Sequence, residues 1–468
     1  MQTSEIDAWY RDAVSSPARK IAAEVLLRVE QGGAFANLAL DGALRAAGAL
    51  EPREAALATE LVYGTLRWQP LLDRTLAAHS DRAPEVLDAP VLLALRLGAF
   101  ELLYHPRVPA RAAVHEAVEL AKELRAARAS GFVNAVLRRV AETRAPPPLP
   151  SREADPVGHV AALHAHPRWL VERWAKWLSL EVAEQLCAAN QVQAQAAIRV
   201  LRREGARAAA LAALERAGIA PAPGRYSPDA LSLGPGAPPA LDLEGHQEGF
   251  FQAQDEAAQL VSLYAAPPPG ARVLDACAAP GGKACHLAEI VGLSGQVVAV
   301  DLHARKADGI AAAARRLGLA NLEARAADAT LPLPGEPEGS FDVALVDAPC
   351  SGLGTLRRHP EMKLRRTPGD VDRLAALQGK LLAQVAKSVR PGGLLVFALC
   401  TLTPEECDEG VQRFLAARPD FAPEPPPEGW ALAAAQADCL DDRGRLFTLP
   451  QRTGTDGFFA VRLRRRDE

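Results

Sequence analysis

At roughly 100–200 residues per domain, a chain of 468 residues predicts about two to four domains. Charged residues make up 24% and hydrophobic residues 49%, which excludes a mostly disordered chain. The 53 Lys and Arg against 57 Asp and Glu give a net charge of −4, which excludes a uniformly basic nucleic-acid coat but allows a local basic face.

The start of the chain lacks the apolar stretch of a secretory signal, and apolar runs such as Val91–Leu95 are too short to span a bilayer. We therefore expect a cytoplasmic protein that does not enter a membrane. No cysteine belongs to a C-x-x-C pair, which argues against a disulfide framework and a structural zinc site. We expect reduced thiols and no metal.

The first part of the chain predicts an all-α bundle over residues 1–144, because apolar residues such as Ala22, Val25, Leu26 and Val29 share one helical face. Prolines, including Pro70, are expected to separate its helices. The further predicted helices are Asp41–Leu50, Arg53–Trp68, Val91–Leu103 and Val114–Arg125. A Pro-rich run predicts a linker at residues 145–156.

Residues 157–266 predict a mixed α/β connector domain. Pro167–Asn190 is expected to be helical, Ala197–Leu201 is a short strand pattern, and Arg207–Ala217 is a second helix. The Pro- and Gly-rich stretch 218–249 predicts loops with short strands at best.

Residues 267–468 predict an α/β domain of Rossmann-like type, because short apolar runs alternate with helical patterns at residues 283–291, 304–317 and 371–389. This alternation is typical of a parallel sheet covered on both faces. The predicted strands are Val273–Asp275, Val297–Asp301, Leu322–Ala326, Phe341–Asp347, Leu394–Leu399 and a last strand at Gly457–Leu463.

A loop of small residues follows the first of these strands and opens a helix. Such a loop lets the backbone approach a ligand closely, and the helix start offers free N–H groups. Because the fingerprint G-x-G-x-x-G is absent, a nicotinamide-dependent oxidoreductase is disfavoured. The loop residues are Cys277, Ala278, Ala279, Pro280, Gly281, Gly282 and Lys283.

Acidic residues and cysteines recur where the predicted strands end. In open α/β sheets a ligand lies across the carboxyl ends of the strands, so a carboxylate after the second strand is suited to ribose hydroxyls and one after the third to an adenine amino group. Two cysteines at this edge indicate covalent chemistry more than packing. The acids are Asp275, Asp301, Asp328 and Asp347, and the cysteines are Cys350 and Cys400.

Four segments closely resemble the S-adenosylmethionine-dependent RNA cytosine-5 methyltransferases: DACAAPGGKACHLAE, VVAVDLH, FDVALVDAPCSGLGTLRRHPEMK and LLVFALCTLTPEE. Three others resemble a NusB-type RNA-binding domain: GAFANLAL, ELVYGTLRW and GFVNAVLRRV. Together they point to the RsmB (Sun/Fmu) branch, which methylates a cytosine of bacterial 16S ribosomal RNA. The resemblance covers nearly the whole chain and implies a class I methyltransferase domain.

The resemblance implies a role for each matched position. Cys277 through Lys283 would line the methionine and ribose side of S-adenosyl-L-methionine, and Asp301 and Asp328 would contact its ribose and adenine. Asp347 would face the cofactor and the target base, with Lys283 assisting electrostatically. Cys400 matches the nucleophile and Cys350 the second cysteine, needed for product release. Arg357, Arg358 and Lys363 belong to the family's RNA-facing loop.

Three positions depart from the family pattern. Leu364 stands where an aromatic residue is common, Cys407 where Asn ends the common PEEN motif, and Cys285 where Thr is common. The expected protein is a monomer that acts on 16S rRNA before the small subunit is fully assembled.

Alternatives remain open at this point. Cys350 rather than Cys400 is the nucleophile if the chain follows the proline-cysteine motif of DNA cytosine-5 methyltransferases. In a second alternative, the substrate is another RNA, such as tRNA. In a third, the chain is a non-catalytic RNA-binding assembly factor. Amino-group methylation is disfavoured, because the loop after Val346 reads Asp-Ala-Pro-Cys, without the aromatic residue typical of those enzymes.

Overall fold

The structure is a computed structural model that describes residues 15–48, 50–234 and 236–467. Residues 1–14, on which the expected absence of a secretory signal rests, lie outside the described residues. The chain divides into two compact units. The first contains the residues up to Gln191 together with His359–Arg365, and the second contains Val192–Arg358 and the residues from Arg366 onward.

The first unit is a bundle of α-helices. Its central helix α4 is mostly apolar, and every residue from Val91 to Leu102 is buried. Two charged residues in that buried run are paired: Arg96 Nε lies 2.7 Å from an Asp73 oxygen, and Arg19 Nε lies 3.0 Å from a Glu101 oxygen. The helices are α1 (Pro17–Gly32), α2 (Ala36–Ala46), α3 (Pro52–His79), α4 (Ala89–Tyr104), α5 (Ala110–Glu123), α6 (Ser130–Thr143), α7 (Pro156–Leu163), α8 (Arg168–Leu178) and α9 (Leu180–Asn190).

The prediction that Pro70 separates two helices is wrong, because α3 continues through it to His79. A proline inside a helix costs about 3 kcal/mol through its missing hydrogen bond and its steric clash. Leu72 and Leu76 lie beyond the proline and are fully buried in the core of the bundle. Their burial, at roughly 1.5–3 kcal/mol for each side chain, offsets the cost.

The segment predicted as one connector is divided between the two units. Its helices α7 to α9 belong to the first unit, and the chain from Val192 belongs to the second. There β1 (Ala197–Val200) pairs antiparallel with β3 (Ala230–Ser232) and β4 (Phe251–Ala253), and β3 also pairs with β2 (Ala222–Pro223). The helices of this region are α10 (Ala206–Arg216), α11 (Glu244–Gln247) and α12 (Glu256–Ala265).

The main sheet of the second unit has the order β10-β12-β9-β8-β5-β6-β7, with β11 paired to β12. The pairs β5–β6, β5–β8, β6–β7 and β8–β9 are parallel, which confirms the predicted Rossmann-like architecture. The strands are β5 (Arg272–Asp275), β6 (Gln296–Asp301), β7 (Leu322–Ala326), β8 (Phe341–Asp347), β9 (Val389–Leu399), β10 (Phe421–Glu424), β11 (Leu446–Thr448) and β12 (Phe458–Arg465).

Helices connect these strands and cover the sheet. They are α13 (Gly282–Val291), α14 (Ala304–Leu317), α16 (Pro368–Ser388), α17 (Asp408–Ala417), α18 (Ala433–Asp438) and α19 (Pro450–Thr453), while α15 (Met362–Arg365) belongs to the first unit. Because β5, β6, β8 and β9 are parallel neighbours, the residues after them meet at one edge of the sheet. In the described part of the chain, no helix is both long and apolar enough to cross a bilayer.

Candidate active site at the carboxyl edge of the sheet

The loop of small residues connects β5 to α13 and is tied to the neighbouring strand. Ala278 N donates to Val300 O over 2.9 Å, and Gly281 N donates to Ala278 O over 2.7 Å. Gly281 precedes the first helical residue with φ of +103°, where a side chain would be strained and would meet Ile310 at 3.3 Å. The loop therefore holds the helix start close to the end of β6, as an anion- or nucleotide-binding turn requires.

Asp275 ends β5 as a fully buried acid. Its carboxylate is 0% exposed, and within the described residues neither oxygen has a hydrogen-bond partner. Burial, helped by the nearby charge of Asp347, raises the pKa of Asp275 to about 7. A carboxylate in this position gains most from a cationic ligand group beside it, which fits the charge of the cofactor that the resemblance implies.

Asp301 and Asp328, two of the acids expected to bind the cofactor, lie at the end of β6 and two residues after β7. Asp301 Oδ1 accepts a hydrogen bond of 3.0 Å from His303 N. Asp328 Oδ1 accepts from the backbone and the hydroxyl of Thr330 at 2.8 and 2.7 Å, and these bonds lower the pKa of Asp328. In both acids Oδ1 bonds the residue two positions on, which holds the side chain in place at the sheet edge.

Lys283 and Asp347 form an ion pair at the same edge. Lys283 Nζ lies 2.7 Å from Asp347 Oδ2 and 5.1 Å from the centroid of the Phe458 ring. Burial alone would lower the pKa of Lys283, but Asp347, with smaller contributions from Cys400 and Asp275, raises it above its usual value. Lys283 therefore stays cationic and orients the Asp347 carboxylate.

Cys350 and Cys400 lie side by side. Their sulfur atoms are 3.3 Å apart, and both side chains are partly exposed. The hydrogen bond with Cys400, followed by burial and the charge of Glu406, raises the pKa of the Cys350 thiol well above its usual value. The negative charge of a Cys400 thiolate is among the contributions that raise the pKa of Lys283, so the Lys283 cation favours that thiolate. The arrangement offers one thiol that is held protonated and one whose thiolate form is favoured by the charge of Lys283.

The three cations expected to face RNA are engaged inside the protein. Arg357 is 8% exposed and donates to the carbonyls of residues 192, 193 and 454. Arg358 lies 2.6 Å from an Asp255 oxygen and 2.9 Å from an Asp456 oxygen. Lys363, in the first unit, is 2% exposed and donates to Arg67 O over 2.8 Å. Their contact with RNA stays a prediction, and in this structure all three have protein partners.

Two groups near the cysteines were missed by the sequence reasoning. Phe458, whose ring lies under Lys283, belongs to a strand that was predicted but given no role. Glu406 is buried and accepts a hydrogen bond from Ser351, which follows Cys350, and Ser351 in turn bonds Thr401, which follows Cys400. The signal for Glu406 was the Pro404-Glu405-Glu406 motif, which was noted only for its missing Asn.

Three family models match the chain. The model described as 16S rRNA methyltransferase RsmB/F matches residues 262–464, and the NusB family model matches residues 16–142. A ferredoxin-like domain model of RsmF/B-like methyltransferases matches residues 166–238, which lie in both units. The NusB match confirms the resemblance of the helical bundle.

Curated relatives match over nearly their whole length. A probable ribosomal RNA small subunit methyltransferase B of Bacillus subtilis is 37% identical, over 96% of this chain and 98% of the relative. The enzyme of that name from Pseudomonas putida is 38% identical, over 95% and 98%. One from Thermus thermophilus is 38% identical, over 96% and 97%.

Solved structures share the fold. The protein PH0851 superposes with a TM-score of 0.80 at 24% identity, covering 96% of this chain and 99% of that one. NSun6 from Pyrococcus horikoshii, solved with SFG, has a TM-score of 0.57 at 21% identity, covering 65% and 100%.

Proposed function

The chain belongs to the ribosomal RNA small subunit methyltransferase B family, and on that premise we propose that it methylates C5 of a cytosine in 16S rRNA through a covalent adduct on Cys400. The observation that carries the proposal is the Cys350–Cys400 thiol pair, 3.3 Å apart, beside the Lys283–Asp347 ion pair. S-adenosyl-L-methionine, when bound, supplies an electrophilic methyl group. Asp275, Asp301, Asp328 and the loop from Cys277 to Gly282 would hold it.

C5 of cytosine is too electron-poor to attack a methyl group unaided. Addition of the Cys400 thiolate at C6 turns the ring into an enamine whose C5 is nucleophilic, so one difficult step becomes two easier ones. Lys283 favours the thiolate by its charge, which is the same interaction that helps to raise the pKa of Lys283. Asp347, held by Lys283, is suited to hydrogen-bond the N3/N4 edge of the base.

The last step removes the C5 proton and expels the enzyme. The electrons of the C5–H bond form the C5–C6 double bond, and the C6–S bond breaks toward Cys400. Cys350 relays the proton: its S–H passes to the departing Cys400 sulfur, 3.3 Å away, and the Cys350 thiolate so formed accepts the C5 proton. Its raised pKa supports this role, because a thiol that stays protonated can donate.

The choice of Cys400 over Cys350 as nucleophile is supported by the charges near each sulfur. Cys400 interacts with the Lys283 cation, whereas the Glu406 charge disfavours a thiolate at Cys350. Replacing each cysteine by Ala and adding RNA that contains 5-fluorocytosine tests the assignment. Cys350→Ala and the control Cys439→Ala should trap the RNA covalently, and Cys400→Ala should not. A covalent complex with Cys400→Ala would overturn it.

We also propose that the helical unit contacts RNA at a groove between α5 and α6. The groove has a volume of about 540 Å³ and an apolar floor that includes Val114. Arg111 and Arg138 line it with exposed side chains, Asn134 adds an amide and Glu142 adds one carboxylate. Cations at the rim, an amide and an apolar floor suit a phosphate-linked base.

The alternative substrate is another RNA such as tRNA. Mapping methylcytosine in 16S rRNA and in tRNA after incubation with the protein shows which of the two is methylated.

A further inference from the structure

Glu406 lies at the centre of a buried hydrogen-bond network that involves the residues after both cysteines. Its side chain is 0% exposed. Its oxygens accept hydrogen bonds from Ser351 N at 2.9 Å, Ser351 Oγ at 2.5 Å, Thr403 Oγ1 at 2.8 Å and Gln378 Nε2 at 2.9 Å.

Every partner of Glu406 is a hydrogen-bond donor. A carboxylate has about four acceptor sites on its two oxygens and no donor, so it matches this set, whereas an amide would turn an N–H group toward donors. Bonds to a charged acceptor are roughly twice as strong as neutral ones. The network thus compensates for the burial of a charge that would otherwise be costly.

The donors closest to the chemistry form an ordered chain. Ser351 Oγ donates to Glu406 and lies 2.6 Å from Thr401 Oγ1, so the Thr401 hydroxyl is the donor in that contact. Ser351 follows Cys350, and Thr401 follows Cys400. Glu406 therefore links the two cysteine-bearing loops through one hydroxyl on each.

Two further bonds hold the same loops. Gln378 Nε2, which donates to Glu406, also donates to Pro349 O over 3.0 Å, so the residues on both sides of Cys350 are held. Gly354 N donates to Cys400 O over 3.1 Å. The hydroxyl chain and these bonds leave neither loop free to shift alone.

We propose that Glu406 is a positioning residue that sets the spacing of the Cys350 and Cys400 sulfurs, through Ser351 and Thr401. This rests on the proposed function, in which the proton passes between those sulfurs. Glu406 bonds the loops and not the thiols themselves, so it acts through its neighbours. A displacement of about 1 Å at reacting groups is enough to cost on the order of 10²-fold in rate.

The test compares full-length Glu406→Gln with wild type and with Glu409→Gln, a carboxylate on the exposed face of α17. We expect single-turnover methyl transfer to 16S rRNA to fall by about 100-fold in Glu406→Gln, with the RNA KM and the affinity for S-adenosylhomocysteine within about twofold of wild type. Glu406→Asp, which keeps an acceptor-only group, should recover part of the rate.

The spacing itself is measured with phenylarsine oxide, a trivalent arsenical that bonds two adjacent thiols at once. The affinity of the protein for this arsenical should fall at least about tenfold in Glu406→Gln and in Ser351→Ala. The reason is that a change in the spacing of the two sulfurs prevents them from bonding one arsenic atom together. Thr403→Val removes a donor that follows neither cysteine and should leave arsenical affinity unchanged. If Glu406→Gln does not fold, the Ser351→Ala and Thr403→Val pair makes the same comparison.

The outcomes separate this proposal from the proposed function. Arsenical binding needs neither RNA nor catalysis, so a wild-type protein that bonds the arsenical but does not methylate rRNA contradicts only the function. Unchanged arsenical affinity in Glu406→Gln and Ser351→Ala, with methyl transfer also unchanged, overturns the positioning role. A loss of thermal stability alone, with both readouts intact, overturns it as well.

Discussion

Lys283 Nζ lies 2.7 Å from Asp347 Oδ2, and this contact joins the start of α13 to the end of β8. Lys283 is the last residue of the small-residue loop, and Asp347 precedes the loop that carries Cys350. One ion pair thus connects the part of the site expected to hold the cofactor with the part expected to hold the base.

Lys283→Met should impair chemistry more than binding. Loss of the cation leaves the Asp347 carboxylate without its partner and removes the charge that favours a Cys400 thiolate. We expect methyl transfer at neutral pH to fall by on the order of 10²–10³-fold. Single-turnover rates as a function of pH check this: the rate of the variant should recover partly as pH rises, because thiols are more fully deprotonated at higher pH. A flat profile at the wild-type rate would contradict the role of Lys283.

Asp275 should make the protein less stable as pH rises from about 4 to 7. The buried carboxyl has a pKa of about 7, against an ordinary value of 3.8, so in that window the unfolded chain binds fewer protons than the folded one. Unfolding is then favoured by rising pH, by on the order of 4 kcal/mol in total. Above about pH 7 this contribution is constant.

Asp275→Asn checks the prediction, because the amide does not titrate. Urea denaturation at several pH values measures the free energy of unfolding of both proteins. Relative to wild type, the value for the variant should increase from pH 4 to 7. A difference that does not change with pH would show that Asp275 is ionised throughout.

Cys350 and Cys400 should form a disulfide under mild oxidation. Their sulfurs are 3.3 Å apart and both side chains are partly exposed. Diamide takes up the two electrons and two protons that the thiols release. Methyl transfer should therefore be abolished by diamide and restored by dithiothreitol, with peptide mapping locating the bond. In Cys350→Ser, diamide should no longer remove the ability to form the RNA adduct. If diamide removes it as readily as in wild type, the disulfide does not involve Cys350.

Lys363 should prove structural and Arg138 should prove RNA-binding. The ammonium of Lys363 is 2% exposed, whereas Arg138 is exposed at the rim of the groove between α5 and α6. The slope of log affinity for 16S rRNA against log salt concentration reports how many Lys and Arg side chains contact phosphates. Removal of one such side chain reduces the slope by roughly one. Arg138→Ala should reduce it and Lys363→Met should leave it unchanged. A reduced slope in Lys363→Met with an unchanged slope in Arg138→Ala would instead support the RNA contact predicted for Lys363.

Lys363→Met should also change how stability depends on pH. Burial lowers the pKa of Lys363 to about 7 from an ordinary value of 10.5, so between these pH values the folded protein binds fewer protons than the unfolded chain. Wild-type stability should therefore rise from pH 7 to 10 by an amount that Lys363→Met lacks. Thermal unfolding across this range checks it, and equal pH slopes in the two proteins would contradict it.

The parallel sheet and its catalytic edge were predictable from local patterns. Strands β7 and β8 have the predicted ends, and the predicted helix 304–317 is α14 residue for residue. A buried parallel strand such as β8 is a nearly continuous apolar run, so its end can be read directly, and Asp347 lies at that end with Cys350 after it. β10 and β11 were missed because each is short and is defined by its pairing with β12.

Contacts between distant residues were beyond the reach of local patterns. Helix α2 begins at Ala36, several residues before its predicted start, and Ala36 N donates to Glu361 Oε1 across 325 positions. Arg365, from the same segment, donates to the carbonyls of Val29 and Gly33 at the end of α1. Glu361 and Arg365 thus satisfy backbone groups at helix ends, which a local pattern of charges does not reveal.

By itself, the sequence determined which residues stand at the strand ends, because apolar periodicity sets the sheet and the sheet sets its carboxyl edge. The tertiary structure alone decided that Cys350 and Cys400 are in contact, that Glu406 joins their loops, and that Lys363 is buried. The reason is physical: burial, charge pairing and hydrogen-bond partners depend on residues far apart in the chain, and no local pattern records them.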